Sequence, residues 1–234
     1  MVVLDWMHDV DLGIVAYELG EVLWSILPQL GDAAASSDKA RRSSGLRALK
    51  DRLKEFYEAN GTESRIPVKR LTLRKIKSKK FPKLKAKAAQ ASRLVPFCLE
   101  LAAEFRGHDG DLGENRHRSM ELLRDLCRLG SRRSLTAQDL AEWRAKAAFH
   151  MFYYAACGFR VYPKHHYFLH FPMIIERSGV PRGFWVYSDE SKNRQIKLLF
   201  QVCSKGHSVE QQMLLRLEWQ RALADLRLRE RMGH

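Results

Sequence analysis

Apolar residues recur at helical spacing through most of the chain. Leu12, Val15, Ala16, Leu19, Leu23, Ile26 and Leu27 form a stripe at three- and four-residue intervals, which predicts a helix from about Asp9 to Leu27. Pro28 and Gly31 are its expected end. The small and polar residues of 31–45 predict a mobile connector. Leu46, Leu49, Leu53, Phe56 and Tyr57 then predict a second helix, ended by Asn60-Gly61. Residues 66–72 read as a short strand, and Val2-Val3-Leu4 as the end of another.

Pro82 is placed to start a helix running to about Phe105, bent at Pro96, where a backbone donor is lost. After the glycine-rich loop 107–113, a helix is expected from Asn115 to Leu129. Thr136-x-x-Asp139 resembles a helix-starting box, with its helix reaching about Cys157. Further helices are expected from Pro163 to about Arg177, from about Ser188 to Val202 and from Ser208 to about Arg229. The fold class is mainly α: a bundle-like array of seven or eight helices with at most a strand or two, forming one domain over 1–234.

Charge changes this picture most. The chain has 41 Lys and Arg against 27 Asp and Glu, a formal net charge of +14. Between Arg65 and Arg93 lie 12 cations and no acid, so the charge has a location. The candidate binding residues are Lys69, Arg70, Arg74, Lys75, Lys77, Lys79, Lys80, Lys83, Lys85 and Lys87. On a helix, Lys83 and Lys87 would share a face. Such a stripe would neutralise phosphates and release counterions, giving salt-sensitive binding without sequence preference. DNA is the first expected partner and RNA the second. Gln90 is the segment's one side chain suited to reading base edges, and Phe81 its one aromatic residue. A solvated helix face or a nuclear-localisation signal would have the same composition. The segment lacks the aromatic-rich face of a membrane-surface helix.

The four cysteines stand far apart without a CxxC pair, which suggests buried free thiols in a reducing compartment. Neither a leader peptide nor an apolar run of bilayer length is evident, so a nuclear or cytoplasmic location is expected.

Three clusters could carry chemistry. Asp5, His8 and Asp9 would share one side of a helical turn, where acids also serve as caps. His166 and His170 have the i,i+4 spacing that can grip a metal, though no glutamate or cysteine completes a known zinc pattern. Asp189 and Glu190 open a helix that Ser188 could cap.

Taken in order, DWMHDVDLGI, FPKLKAKAA, PKHHYFLHFP and Trp185 with its following DES helix start resemble the C-terminal half of CACTA and Plavaka-like transposases, the CMC-type DDE group. They resemble more closely the transposon-derived genes of protist genomes. That resemblance implies a helical insertion within an RNase H-like domain. It makes Asp5 and His8 the counterparts of the DxMH-type motif, and Glu190, or else Asp189, the counterpart of a late metal-binding glutamate. Asp5 and Glu190 would then hold Mg²⁺ for two-metal phosphodiester cleavage and strand transfer. Only four residues precede Asp5, and no run of strands follows. The expectation is therefore a truncated, transposase-derived, nucleic-acid-binding helical domain without catalysis, and without Mg²⁺. The alternatives are a helical protein-interaction module and an active metal-dependent nuclease.

Overall fold

The motif-bearing segment DWMHDVDLGI begins the first helix. In a computed structural model, which describes residues 5–61, 64–78 and 80–181 with only Gln212 and Glu218 beyond, the chain runs as a π-helix over Trp6–Val15. It continues without a break as α1, Ala16–Leu30. Pro28 sits inside the last turn of α1 rather than ending it, and the helix stops at Gly31.

The helices that follow are α2 (Asp38–Asn60), the short α3 (Leu73–Ile76) and α4 (Ala88–Arg93), then α5 (Val95–Glu104). Three longer ones complete the series: α6 (Asp111–Gly130), α7 (Ala137–Ala156) and α8 (Pro163–Ser178). The fold is mainly α. Among the described residues no strand forms, and one isolated antiparallel bridge joins Lys77 to Pro82. Contacts divide the chain into two compact units, Met1–Trp185 and Val186–His234. The strand expected at residues 2–4 and the helix expected at 188–202 lie outside the described residues; in the helix expected from 208 to 229, Gln212 and Glu218 are both helical.

Capping chemistry sets the boundaries that were legible. Thr136 Oγ1 accepts the Asp139 N–H at 3.1 Å while Asp139 Oδ2 accepts the Thr136 N–H at 2.8 Å, a reciprocal box that starts α7. Gly61, at φ 55°, takes the left-handed conformation that ends α2.

The expected connector over 31–45 is shorter than its composition suggests. Ser37 accepts the Ala40 N–H and α2 begins at Asp38, so its second half is helical. Gly45 faces α1 so closely that a Cβ there would lie 2.0 Å from the Leu27 carbonyl oxygen. The small residues thus serve a close helix crossing.

The core is one apolar cluster shared by the π-helix and the long helices. Trp6 is central to it: its ring lies 5.8 Å from Trp143 and 5.5 Å from Phe171. Gly130 lies against that ring, and a Cβ there would come within 2.1 Å of it. Burial pushes the thiols of Cys98, Cys127 and Cys157 above their usual value, Cys157 to about 12. Such thiols are poor nucleophiles.

Candidate nucleic-acid interface

The basic segment is not the helix that Pro82 suggested. Its cations alternate with apolar residues at a period of two, the signature of extended chain, and proline pushes the residue before it toward extended geometry. The segment folds back on itself as a hairpin-like arm. Lys83 N–H donates to the Ile76 carbonyl at 3.0 Å, and Lys85 N–H to the Lys75 carbonyl at 2.7 Å. At the tip, both the Ser78 N–H and its hydroxyl donate to the Phe81 carbonyl, at 3.1 and 3.0 Å. Lys83 and Lys87 therefore share no helix face. The strand expected over 66–72 is also absent: a single 3₁₀ turn at Val68–Arg70 occupies it. The helix expected to bend at Pro96 is instead two helices separated at Leu94, with Pro96 in the first turn of α5, where proline costs no hydrogen bond.

Two buried apolar side chains, Ile76 and Leu84, pin the arm to the body. Leu84 N–H donates to the Ala16 carbonyl of α1 at 2.8 Å. Gly20 makes that approach possible. A Cβ at Gly20 would sit 2.6 Å from both the Lys83 N and Cα, and 2.7 Å from the Leu84 N. Backbone cannot yield there as a flexible side chain would. Gly20→Val is expected to lift Leu84 away from α1 and to cost about 1–3 kcal/mol, read by urea unfolding, with faster tryptic cleavage within 75–87 as the local signature. Unchanged cleavage in a destabilised variant would show that the arm is held elsewhere.

Lys69, Arg70, Arg74, Lys80, Lys85 and Lys87 are exposed, while Lys75, Lys77 and Lys83 are half-buried and Lys79 lies outside the described residues. Among the described residues, none of these nine cations has a carboxylate within ion-pair distance. Several cations elsewhere in the body are matched: Arg42 pairs with Asp38 at 2.8 Å, Arg116 with Asp109 at 2.9 Å, and Arg118 with Glu114 at 3.0 Å. Within the described residues the positive charge of the arm is concentrated in sequence and has no ion-pair partner.

Gln90 is not available as a base reader. Its Oε1 accepts the Lys87 N–H at 3.0 Å, and its amide donates to the Arg65 carbonyl at 2.7 Å.

Aromatic rings from distant parts of the chain complete this face. The Lys83 ammonium lies 4.4 Å from the Tyr17 ring centre and the Lys77 ammonium 4.7 Å from that of Trp24. Burial, with Lys164 adding to it, holds Lys83 below the usual lysine range. Glu21, on α1 between the two rings, is the nearby acid. Burial pushes its pKa up to about 7, against the Lys77 charge and a backbone hydrogen bond from Arg160, so near neutrality it is often uncharged. Neither Tyr17, Trp24 nor Glu21 is marked by sequence as part of a site. The only signal is their i, i+4, i+7 spacing on the side of α1 away from its apolar stripe.

The acidic candidates have structural tasks. Asp5 caps the π-helix, accepting the Met7 N–H at 3.3 Å and the His8 N–H at 3.1 Å, and it touches the His8 ring. Lys164 donates to the His8 carbonyl at 2.7 Å and lies 3.3 Å from Asp9, tying this turn to α8. The structure does bring Asp5 and His8 together. The bonds Asp5 makes are those of a helix cap. Asp189 and Glu190 lie outside the described residues. His166 and His170 face each other with their Nε2 atoms 2.7 Å apart. Among the described residues no set of three His, Cys, Asp or Glu side chains gathers to hold a metal, and no helix is long and apolar enough to cross a membrane.

A further acid interrupts the apolar stripe of α1. Glu18 is fully buried, accepting from Ser119 Oγ at 2.6 Å while its other oxygen lies 2.6 Å from His150 Nε2. Both partners bond the carboxyl group and not each other, and all three are closed to solvent, so the trio ties α1, α6 and α7 together without forming a nucleophile. Comparison with family models, with curated proteins and with solved structures finds no match to this chain.

Proposed function

We propose that the chain is a transposase-derived helical domain that binds nucleic acid through the arm at 75–85 and its flanking cations. The observation that carries this reading is the set of nine cations, Lys69 to Lys87, without a carboxylate partner among the described residues. An ammonium group with no acid beside it gains most from a polyanion, because phosphate contacts release counterions and face no competing internal pair. The transposase origin is supported by the shared order of the motifs from Asp5 to Glu190. DNA is the first partner this origin suggests. The reading assigns no catalytic step.

Lys80, Lys85 and Lys87 are exposed and make no ion pair among the described residues, so their reversal should leave the fold intact. The triple change to Glu is expected to weaken binding to a duplex at least ~10-fold near 0.1 M salt. It should also flatten the plot of log affinity against log salt by about 3, one unit per lost phosphate contact. Fluorescence anisotropy across a salt series measures both. A parent affinity that does not respond to salt would defeat the electrostatic reading.

A further inference from the structure

The cationic arm does not end in lysines alone: it lays a ring cluster against α1. Phe81 at its tip lies 5.7 Å from Tyr17 and 5.6 Å from Tyr162, and Tyr162 stacks on Tyr17 at 4.0 Å with 23° between the planes. All three residues are half-buried, although the Tyr162 hydroxyl itself is closed to solvent. Three separate parts of the chain supply them: α1, the arm, and the loop between α7 and α8. Cations ride on the same rings. Lys83 sits over Tyr17, and the exposed Arg160 lies 5.3 Å from the Tyr162 ring centre.

A core needs no such arrangement, because Phe81 and its neighbours remain partly wet. A duplex makes little use of it either. Duplex bases are stacked on one another, so its outer surface offers phosphates to lysines and nothing to an aromatic face. Unpaired nucleic acid offers both phosphates and open base faces, and proteins that hold it combine a basic track with aromatic platforms. With Gln90 committed to backbone hydrogen bonds, the face has rings and charges in quantity and no free side-chain amide from the basic segment.

We propose that this face takes single-stranded nucleic acid without strong sequence preference, with bases against the Tyr17–Phe81–Tyr162 cluster and phosphates on Lys77, Lys83 and Arg160. This rests on the polyanion reading above and narrows its substrate class. The strand is recognised by shape and charge, so DNA and RNA single strands should bind alike.

The test uses the full chain with a dye-labelled single strand of about 20 mixed-sequence nucleotides and the matching duplex, by anisotropy at two salt concentrations. The single strand is expected to bind ~10-fold tighter than the duplex at equal salt. Phe81→Ala and Tyr162→Leu should each lower single-strand affinity ~5–10-fold while changing duplex affinity less than ~2-fold. Tyr162→Phe keeps the ring and should bind like the parent, which separates loss of stacking from loss of fold; thermal melts of each variant check the latter. Equal affinity for the two forms, steep in salt, would overturn the strand preference and leave the electrostatic reading standing. So would parallel losses on both forms. Binding of neither form at low salt would overturn both readings.

Discussion

Replacing Glu18 with alanine is expected to lower the unfolding free energy by about 3–5 kcal/mol, the range for removing one member of a buried polar pair. Glu18 is inaccessible to solvent, as are Ser119 and His150, its two partners at 2.6 Å. Its loss strands both in a dry interior, where each unpaired group carries its full desolvation cost. Among the described residues His150 Nδ1 has no hydrogen-bond partner, so none there holds the ring from its other side. The cavity left by the missing carboxyl group adds to the effect.

Urea unfolding should show a lower midpoint with an unchanged slope. The triple variant Glu18→Leu, Ser119→Ala, His150→Leu is the informative control. It removes every polar partner at once and fills the space with apolar atoms, so it should recover much of the loss. A cost below about 1 kcal/mol for Glu18→Ala would show that water reaches the trio and that it does not fasten α1 to α6 and α7.

That trio also marks a limit of what the sequence discloses. Glu18 interrupts an apolar stripe, and its partners lie about a hundred or more positions away, so its role exists only in the folded chain. Features set by neighbouring residues were legible: the box at Thr136 and Asp139, the left-handed stop at Gly61, the start of α8 at Pro163. Their hydrogen bonds close within a few residues.

Features set by distant backbone were not. Gly45 looks like linker composition until α1 lies against it, and Gly20 looks like an indifferent helix residue until the arm crosses it. The basic segment shows both kinds. Its charge and its location could be read directly, because no acid interrupts it. Its conformation was less legible, because Pro82 signals a helix start as readily as a turn and competes with the period-two alternation of the cations. The aromatic partners Tyr17, Trp24 and Tyr162 are brought to it by tertiary folding. Lys77 and Lys83 are the two residues on which both readings meet.

Acidification should destabilise the fold through His165, with a sign and a window that follow from its surroundings. The ring is fully buried, lies 4.4 Å from the Tyr154 ring, and accepts the Tyr162 N–H on Nδ1 at 3.1 Å. Burial pushes its pKa down from 6.5 to about 4; His150 works in the same direction, and Glu18 opposes it. In the unfolded chain the imidazole gains a proton as pH falls through about 6.5, while in the folded chain it stays neutral to about 4. The unfolded state therefore binds more protons across that interval. Stability from this group is complete above about pH 6.5 and declines by about 3 kcal/mol by about pH 4, at about 1.4 kcal/mol per unit.

Glu21 acts oppositely. Its pKa is raised from 4.5 to about 7, so the folded state holds the extra proton between those values and gains stability as pH falls through about 7. It is only half-buried, so its contribution is the smaller of the two. Urea unfolding at about pH 7.5, 5.5 and 4.5 separates them. Glu21→Gln should steepen the loss of stability on acidification, and His165→Gln should flatten or reverse it. A His165→Gln variant that loses stability with the parent's slope would mean that water solvates the imidazole and that acid sensitivity arises elsewhere.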